Sequence, residues 1–128
     1  MPLKRPAQVR YVRYQHVYVA APQLAISDLR VFGRGPGQPP SAPSQVTVRR
    51  DQDRRNAFIS WTPQPGLVGY NVRWGIAPNK LYQTYQVWAN QQQPLEIRAL
   101  NLPQGYSFAV EAFNECGVSP LSPIQAVP

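Results

Sequence analysis

The stretch Leu100 to Gly117, which reads L-N-L-P-Q-G-Y-S-F-A-V-E-A-F-N-E-C-G, decides the fold. From Tyr106 onwards an apolar residue occupies every second position, and a period of two places these residues on one face of a β-strand. Pro103 to Gly105, just before it, are typical of a turn. Leu100 lies six residues ahead of Tyr106, which is the spacing of a tyrosine corner: the ring is buried and its hydroxyl hydrogen-bonds to the backbone just upstream. The stretch therefore predicts an inner strand of a β-sandwich.

Short strand-like runs separated by turn residues continue this pattern over the chain beyond residue 44. We predict seven strands, at Gln45–Arg49, Ala57–Thr62, Gly69–Gly75, Leu81–Ala89, Leu95–Leu100, Tyr106–Asn114 and near Ser119–Ala126. Seven short strands at this spacing indicate an all-β sandwich. Its predicted structural core includes Trp61, Tyr70, Leu100 and Tyr106. On the second strand, the period of two leaves open whether Ile59 and Trp61 or Phe58 and Ser60 face inward.

Residues 42–127 resemble a fibronectin type III domain. One part of the resemblance is I-S-W-T-P at residues 59–63, where a core tryptophan is closely followed by proline. The resemblance implies that Ile59 and Trp61 face inward, rather than Phe58 and Ser60. The other part is a set of landmark positions in the quoted stretch: Leu100, Pro103, Gly105, Tyr106, Ala112, Asn114 and Gly117. The resemblance implies a seven-stranded immunoglobulin-like sandwich, and we place the fibronectin type III domain at residues 42–128.

Residues 1–33 are interpreted as an N-terminal β-extension. They contain two strand-like runs, V-R-Y-V-R-Y-Q-H-V-Y-V from Val9 and L-A-I-S-D-L-R-V-F ending at Phe32. The second run resembles the closing strand of discoidin-like carbohydrate-binding sandwiches, which implies that the extension is the tail of a preceding discoidin-like domain. Residues 34–41 are rich in proline and glycine, and we interpret them as the linker between the two parts.

Composition limits the classes of function. The formal net charge is +7, but residues 1–40 hold six Lys/Arg and one acid, so the basic character belongs mainly to the tail. Nucleic-acid binding needs clustered basic residues, and we expect no nucleic-acid partner. No apolar run approaches the roughly 20 residues that span a bilayer, so we expect no membrane span. The first residues also lack the apolar segment of a signal peptide, which leaves an intracellular protein or an interior piece of a longer exported chain.

The sequence offers few candidates for catalysis. His16 is the single histidine, and no serine or cysteine nucleophile accompanies it in a motif. Asp51 and Asp53 lie two positions apart at a predicted turn, unlike the two carboxylates that face each other across a glycosidase cleft. Cys116 is the only cysteine, so it forms no disulfide within the chain and belongs to no zinc cluster. We therefore predict no catalytic, cofactor-binding or metal-binding residues, and no cofactor.

Two aromatic residues are candidates for contact with a ligand or a neighbouring domain. Trp88 and Tyr82 share one parity on the predicted strand Leu81–Ala89, whereas Tyr85 and Val87 share the other. One of these pairs must face outward, and the sequence leaves open which one. An outward Trp88 and Tyr82 would serve as an interdomain contact, as plain surface cover, or as a platform on which sugars stack.

A wider resemblance concerns three phrases, L-A-I-S-D-L-R-V-F-G, G-Y-N-V-R-W-G-I-A-P-N-K-L-Y and F-A-V-E-A-F-N-E-C-G. They resemble the C-terminal modules of bacterial family 43-like glycoside hydrolases. The resemblance implies an extracellular or periplasmic parent enzyme that acts on plant-type polysaccharide and whose catalytic carboxylates lie upstream. This chain would then be a non-catalytic accessory module with a structural, spacer or domain-docking role.

The partners expected from this resemblance are the upstream catalytic or discoidin-like domain of the same polypeptide and, as a further candidate, polysaccharide. We expect the chain itself to be a monomer. Two alternatives remain: a protein-recognition or adhesion module, and an independent carbohydrate-binding module. Solvent exposure of Trp88 and Tyr82 would distinguish between these two.

Overall fold

A computed structural model describes residues 7–15, 17, 30–31, 33 and 35–128. The chain divides into two compact units, Met1–Val31 and Phe32–Pro128. In the first unit, residues 7–15 are exposed and are not part of a strand. In the first predicted N-terminal strand, Val17 is also exposed and outside a strand, whereas His16, Tyr18 and Val19 lie outside the described residues, as does nearly all of the second predicted strand. The N-terminal β-extension therefore stays a prediction.

The second unit is an all-β sandwich of two antiparallel sheets, which confirms the predicted fold class. Its strands are β1 (Thr47–Arg50), β2 (Ala57–Ser60), β3 (Gly69–Gly75), β4 (Gln83–Trp88), β5 (Leu95–Ile97), β6 (Tyr106–Asn114), β7 (Gly117–Val118) and β8 (Gln125–Val127). One sheet has the order β1-β2-β5. The other has the order β4-β3-β6-β7, and β8 also pairs with β6.

The inner faces of the two sheets meet in one apolar core. Alternate residues of β2, β3 and β6 point into it, as a strand period of two requires. Ile59 is fully buried and Trp61 is 4% exposed, so the predicted inward face of the second strand is confirmed. The buried cluster contains Val46, Ala57, Ile59, Trp61, Tyr70, Val72, Val87, Leu95, Ile97, Leu100, Tyr106, Phe108, Val110 and Ala112.

Aromatic residues fill the centre of this core. The rings of Trp61 and Tyr70 are tilted against each other, with their centroids 5.0 Å apart, a geometry that adds to the stabilisation from burial alone. The Tyr70 hydroxyl accepts a hydrogen bond of 2.8 Å from the amide of Gln64. The buried ring is therefore stabilised without leaving its polar atom unpaired.

The end of the sandwich differs from the prediction. Instead of one strand near Ser119–Ala126, the structure has the two short strands β7 and β8. Pro120 and Pro123 lie between them, and proline has no N–H to donate to a sheet. Buried serines take over the pairing: the hydroxyls of Ser119 and Ser122 accept hydrogen bonds of 2.9 and 3.0 Å from buried amides of β6.

A tyrosine corner links β6 to the loop before it. The Tyr106 hydroxyl accepts a hydrogen bond of 3.2 Å from the amide of Asn101, five residues upstream. Arg50, at the end of β1 in the other sheet, contacts the residues of this corner. Its guanidinium lies 5.6 Å from the centre of the Tyr106 ring and donates to the carbonyl oxygens of Gln104, Asn101 and Pro128 at 2.8, 3.0 and 2.9 Å. The corner thus joins both sheets and the last residue of the chain.

Candidate functional site

The predicted contact residues lie on or beside β4, at the edge of its sheet. Val87 is buried in the core, so the opposite parity faces solvent. Trp88 and Tyr82 have that parity and are 71% and 77% exposed. Tyr85 has the parity of Val87 but is still 51% exposed, which fits an edge strand because none of the described strands covers its outer side. All three aromatic side chains are therefore accessible.

The structure does not bring Trp88 and Tyr82 together. They lie at opposite ends of β4, and six residues of strand span about 20 Å at roughly 3.3 Å per residue. One sugar ring cannot stack on both side chains at that distance. If either residue binds a ligand, it does so together with the residues next to it and not with the other aromatic residue.

The neighbours of Trp88 are apolar. Trp88 pairs across the sheet with Gly69 of β3, and Gly69 pairs with Phe113 of β6. A Cβ atom on Gly69 would lie 2.8 Å from Cζ of Phe113 and 2.2 Å from the carbonyl oxygen of Val87. Glycine at position 69 therefore lets the Phe113 ring approach the β3 backbone, and it keeps these residues in one row across the sheet.

Polar side chains fill the next row of the outer face. Gln86 donates a hydrogen bond of 3.0 Å to Asn71, and Asn71 donates one of 3.0 Å to Glu111. A guanidinium nitrogen of Arg73 lies 3.7 Å from the other oxygen of Glu111. The Glu111 carboxylate is engaged by both neighbours, so this row stabilises the sheet surface rather than offering a free acid.

The turn between β1 and β2 holds the two aspartates considered from the sequence. Arg55 donates to Asp53 through its side chain at 2.9 Å and through its amide at 3.1 Å. These bonds, the side-chain ones first, hold the pKa of Asp53 below its ordinary value. A half-buried aspartate already paired within its own turn stabilises the loop locally, whereas Asp51 is exposed.

The glycine- and proline-rich residues ahead of β1 contact the turn between β6 and β7. We call residues 35–41, the described part of the predicted linker, the leading segment. The amide of Gly35 donates to the carbonyl oxygen of Glu115. The side-chain amide of Asn114 donates a hydrogen bond of 3.0 Å to the carbonyl oxygen of Gln38. The leading segment is therefore attached to the sandwich at two points.

Asn114 also shapes the turn that receives the leading segment. Its side-chain oxygen accepts hydrogen bonds from the amides of Cys116 and Gly117, at 2.8 and 3.1 Å. The Cys116 sulfur then lies under the segment: Cβ atoms on Gly35 and Gly37 would be only 3.1 and 3.0 Å from it. Glycine at these two positions thus permits the close approach. The sequence predicted only that these glycines belong to a linker.

Two open grooves accompany these features in the described part of the chain. One, of about 470 Å³, lies beside the tyrosine corner and is lined by Arg55 and residues 100–104. The other, of about 230 Å³, lies between the leading segment and residues 64–67. No cluster of three or more His, Cys, Asp or Glu side chains that could hold a metal ion occurs among the described residues. No helix in that same part is long and apolar enough to cross a membrane.

Comparison with known proteins gives one family. A family model described as Fibronectin type III domain matches residues 41–127. No curated protein matches the chain.

Solved structures share the fold. A crystal structure of chicken CNTN1 FN1-FN3 domains is 26% identical, with a TM-score of 0.61, over 70% of this chain and 31% of that chain. The fn3 domain of human contactin 1 is 23% identical, with a TM-score of 0.63, over 79% and 87%. A Fn3-like protein from Clostridium thermocellum is 18% identical, with a TM-score of 0.60, over 70% and 92%. This chain thus spans 31% of the length of the chicken structure.

Proposed function

Because the chain belongs to the fibronectin type III family over residues 41–127, we propose that it is a non-catalytic structural and docking module that positions a preceding module of a longer polypeptide. A fibronectin type III domain is a structural, domain-docking or binding module. The observation that favours positioning is the attachment of the leading segment to the β6–β7 turn.

The attachment matters because it fixes part of the connection on the sandwich. A proline-rich linker is semi-extended and already limits the motion of the modules it joins. Hydrogen bonds at Gly35 and Gln38 hold the described linker residues on the sandwich. The turn at Asn114 therefore determines where the leading segment lies on the sandwich.

We extend the proposal to the parent protein, a bacterial glycoside hydrolase that acts on plant-type polysaccharide outside the cell or in the periplasm. The support is the resemblance of L-A-I-S-D-L-R-V-F-G, residues 24–33, to the closing strand of discoidin-like sandwiches. The partner of this module is then the upstream catalytic or discoidin-like domain. The sequence upstream of this module in the same open reading frame tests this step: glycosidase carboxylates there support it, and an unrelated domain contradicts it.

The non-catalytic role is tested with the 128-residue chain and oligosaccharides that contain arabinose and xylose. We expect neither release of sugar nor binding. Release of sugar by the purified chain would overturn the non-catalytic role. A preparation of the Trp61→Ala variant serves as the control for a contaminating hydrolase, since its loss of fold should abolish any activity that belongs to this chain.

A second candidate function, an independent carbohydrate-binding module, is favoured by one observation, the exposure of Trp88 beside the apolar row of Gly69 and Phe113. Aromatic rings stack on the apolar faces of sugars, and the Trp88 ring has apolar neighbours in this row. Binding in the same assay that is lost in Trp88→Ala but kept in Tyr82→Ala would establish this function in place of positioning alone.

A further inference from the structure

β4 is the one long edge strand of the described sandwich that lacks protection. It pairs with β3 along one side, and no strand among the described residues pairs with the backbone N–H and C=O groups of its other side. Natural proteins protect such edges with charges, with prolines, or by keeping the strand short. β1 carries Arg49 and Arg50, and β5, β7 and β8 have only two or three residues each. β4 has six residues with neither a charge nor a proline.

The uncharged stretch extends beyond the strand itself. No residue from Leu81 to Leu95 is charged, although the chain carries a formal net charge of +7. Like charges directly opposite each other in a sheet are destabilising. Two copies of this chain can therefore approach along β4 without placing like charges opposite one another. Pairing through β1, in contrast, would bring the arginines of the two copies together.

The exposed aromatic residues of this edge are symmetrically placed. Tyr82 and Trp88 lie three positions before and after Tyr85. If two β4 strands pair antiparallel with Tyr85 at the centre, Tyr82 of each copy lies opposite Trp88 of the other, and Tyr85 lies opposite Tyr85. Tyr82 and Trp88 share the outer face, so both of their cross-strand pairs form on the same side. Aromatic cross-strand pairs stabilise antiparallel sheets.

We propose that the chain forms a homodimer by antiparallel pairing of β4 with β4 of a second copy, about a two-fold axis at Tyr85. The pairing lengthens β4 by one residue, to include Tyr82, and joins two sheets into one. Each copy has one such edge, so the assembly closes as a dimer. This replaces the monomer expected from the sequence, and it goes beyond the proposed positioning role, which uses the β6–β7 turn.

The dimer is weak and reversible. Stable complexes bury about 1,600 Å² in total, and a single pair of short strands buries less. Sedimentation velocity of the full chain from micromolar to millimolar concentration should show a monomer that converts to a dimer. A chain that is still monomeric at millimolar concentration overturns the proposal, as does growth beyond the dimer.

A charge at the centre of the pairing tests the register. Tyr85→Lys places two lysines opposite each other and should raise the dissociation constant about tenfold or more. The matched control is Val118→Lys, which adds the same charge at a residue of β7 that is also 51% exposed, and it should leave the dimer intact. Equal effects of the two variants would overturn the assignment to β4.

Mixing two variants of opposite charge tests the register most directly. Because position 85 faces itself across the axis, Tyr85→Glu and Tyr85→Lys should each be monomeric alone and associate when mixed. A mixture no tighter than its components contradicts the proposed register. Circular dichroism melts identify folded variants, and if Tyr85→Lys fails to fold, Trp88→Ala at the more exposed position replaces it and should also weaken the dimer.

Discussion

Replacing Tyr106 by phenylalanine removes one oxygen atom from the tyrosine corner and leaves the buried ring in place. The hydroxyl accepts a hydrogen bond of 3.2 Å from the amide of Asn101, so the variant loses this bond and leaves a partly buried N–H without its partner. A typical hydrogen bond contributes about 0.5–1.5 kcal/mol net, and an unsatisfied buried group costs about 1–3 kcal/mol. Because Asn101 is itself exposed and its amide can reach water, we expect a loss of about 1–2 kcal/mol.

The loss can be measured by urea denaturation followed through tryptophan fluorescence, together with a thermal melt. For a domain of this size, 1 kcal/mol lowers the melting temperature by about 4–8 °C, so the melt of Tyr106→Phe should shift by several degrees. The matched control is Tyr82→Phe, the same chemical change at a side chain that is 77% exposed, and its melt should match the parent chain. Equal melts for the two variants would refute the role given to the corner.

Two further perturbations test other parts of the fold. Trp61→Ala removes a ring that is 4% exposed and packs 5.0 Å from Tyr70, so unfolding should become easier by about 3–5 kcal/mol; a urea midpoint close to that of the parent would remove Trp61 from the core. At the β1–β2 turn, the hydrogen bonds from Arg55 lower the pKa of Asp53 in the folded chain. The pair therefore stabilises the fold at pH values above the unfolded pKa of about 3.9. This stabilisation is lost as the pH falls through the folded pKa. A carboxyl NMR titration should show the Asp53 pKa rising toward its ordinary value in Arg55→Ala, and an unchanged pKa would contradict the pairing.

The central strands were predictable because their pattern is local. Gly69–Gly75 and Tyr106–Asn114 have the same bounds in the prediction and in the structure. Both strands lie in the middle of their sheet, where the inner positions must be apolar and a period of two is therefore visible in the sequence. The edge strands β1, β4 and β5 are shorter than predicted, since fewer of their positions are constrained by the core. The central strand β2 is shorter too, and ends at Ser60 instead of Thr62.

The contacts that the sequence did not reveal join residues far apart along the chain. Arg50 reaches the carbonyl oxygen of Pro128 across 78 positions, and Asn114 reaches that of Gln38 across 76. No periodicity marks such a pair, because each partner looks like an ordinary polar residue in a loop or at a strand end. The sequence also left open which face of β4 points outward. Both faces carry aromatic or apolar residues, so the alternation does not tell which of them packs against the core.

The prolines of the last strand were a signal that could have been used. Pro120 and Pro123 argue against one continuous strand near Ser119–Ala126. In the structure β7 ends before this region, at Val118, and β8 starts only at Gln125. The serines between and beside the prolines then gain a role as hydrogen-bond acceptors for β6.

Attachment of the leading segment to the sandwich is the central claim, and backbone NMR relaxation at Gly35, Gly37 and Gln38 tests it most directly. An attached segment should give order parameters near 0.85, like the strands, whereas a free linker gives values below about 0.6. Asn114→Ala should lower the values at Gln38, because it removes the donor that holds this residue, and the Asn79→Ala control at an exposed turn should not. Order parameters below about 0.6 at Gly35 and Gln38 in the unmodified chain would contradict the account.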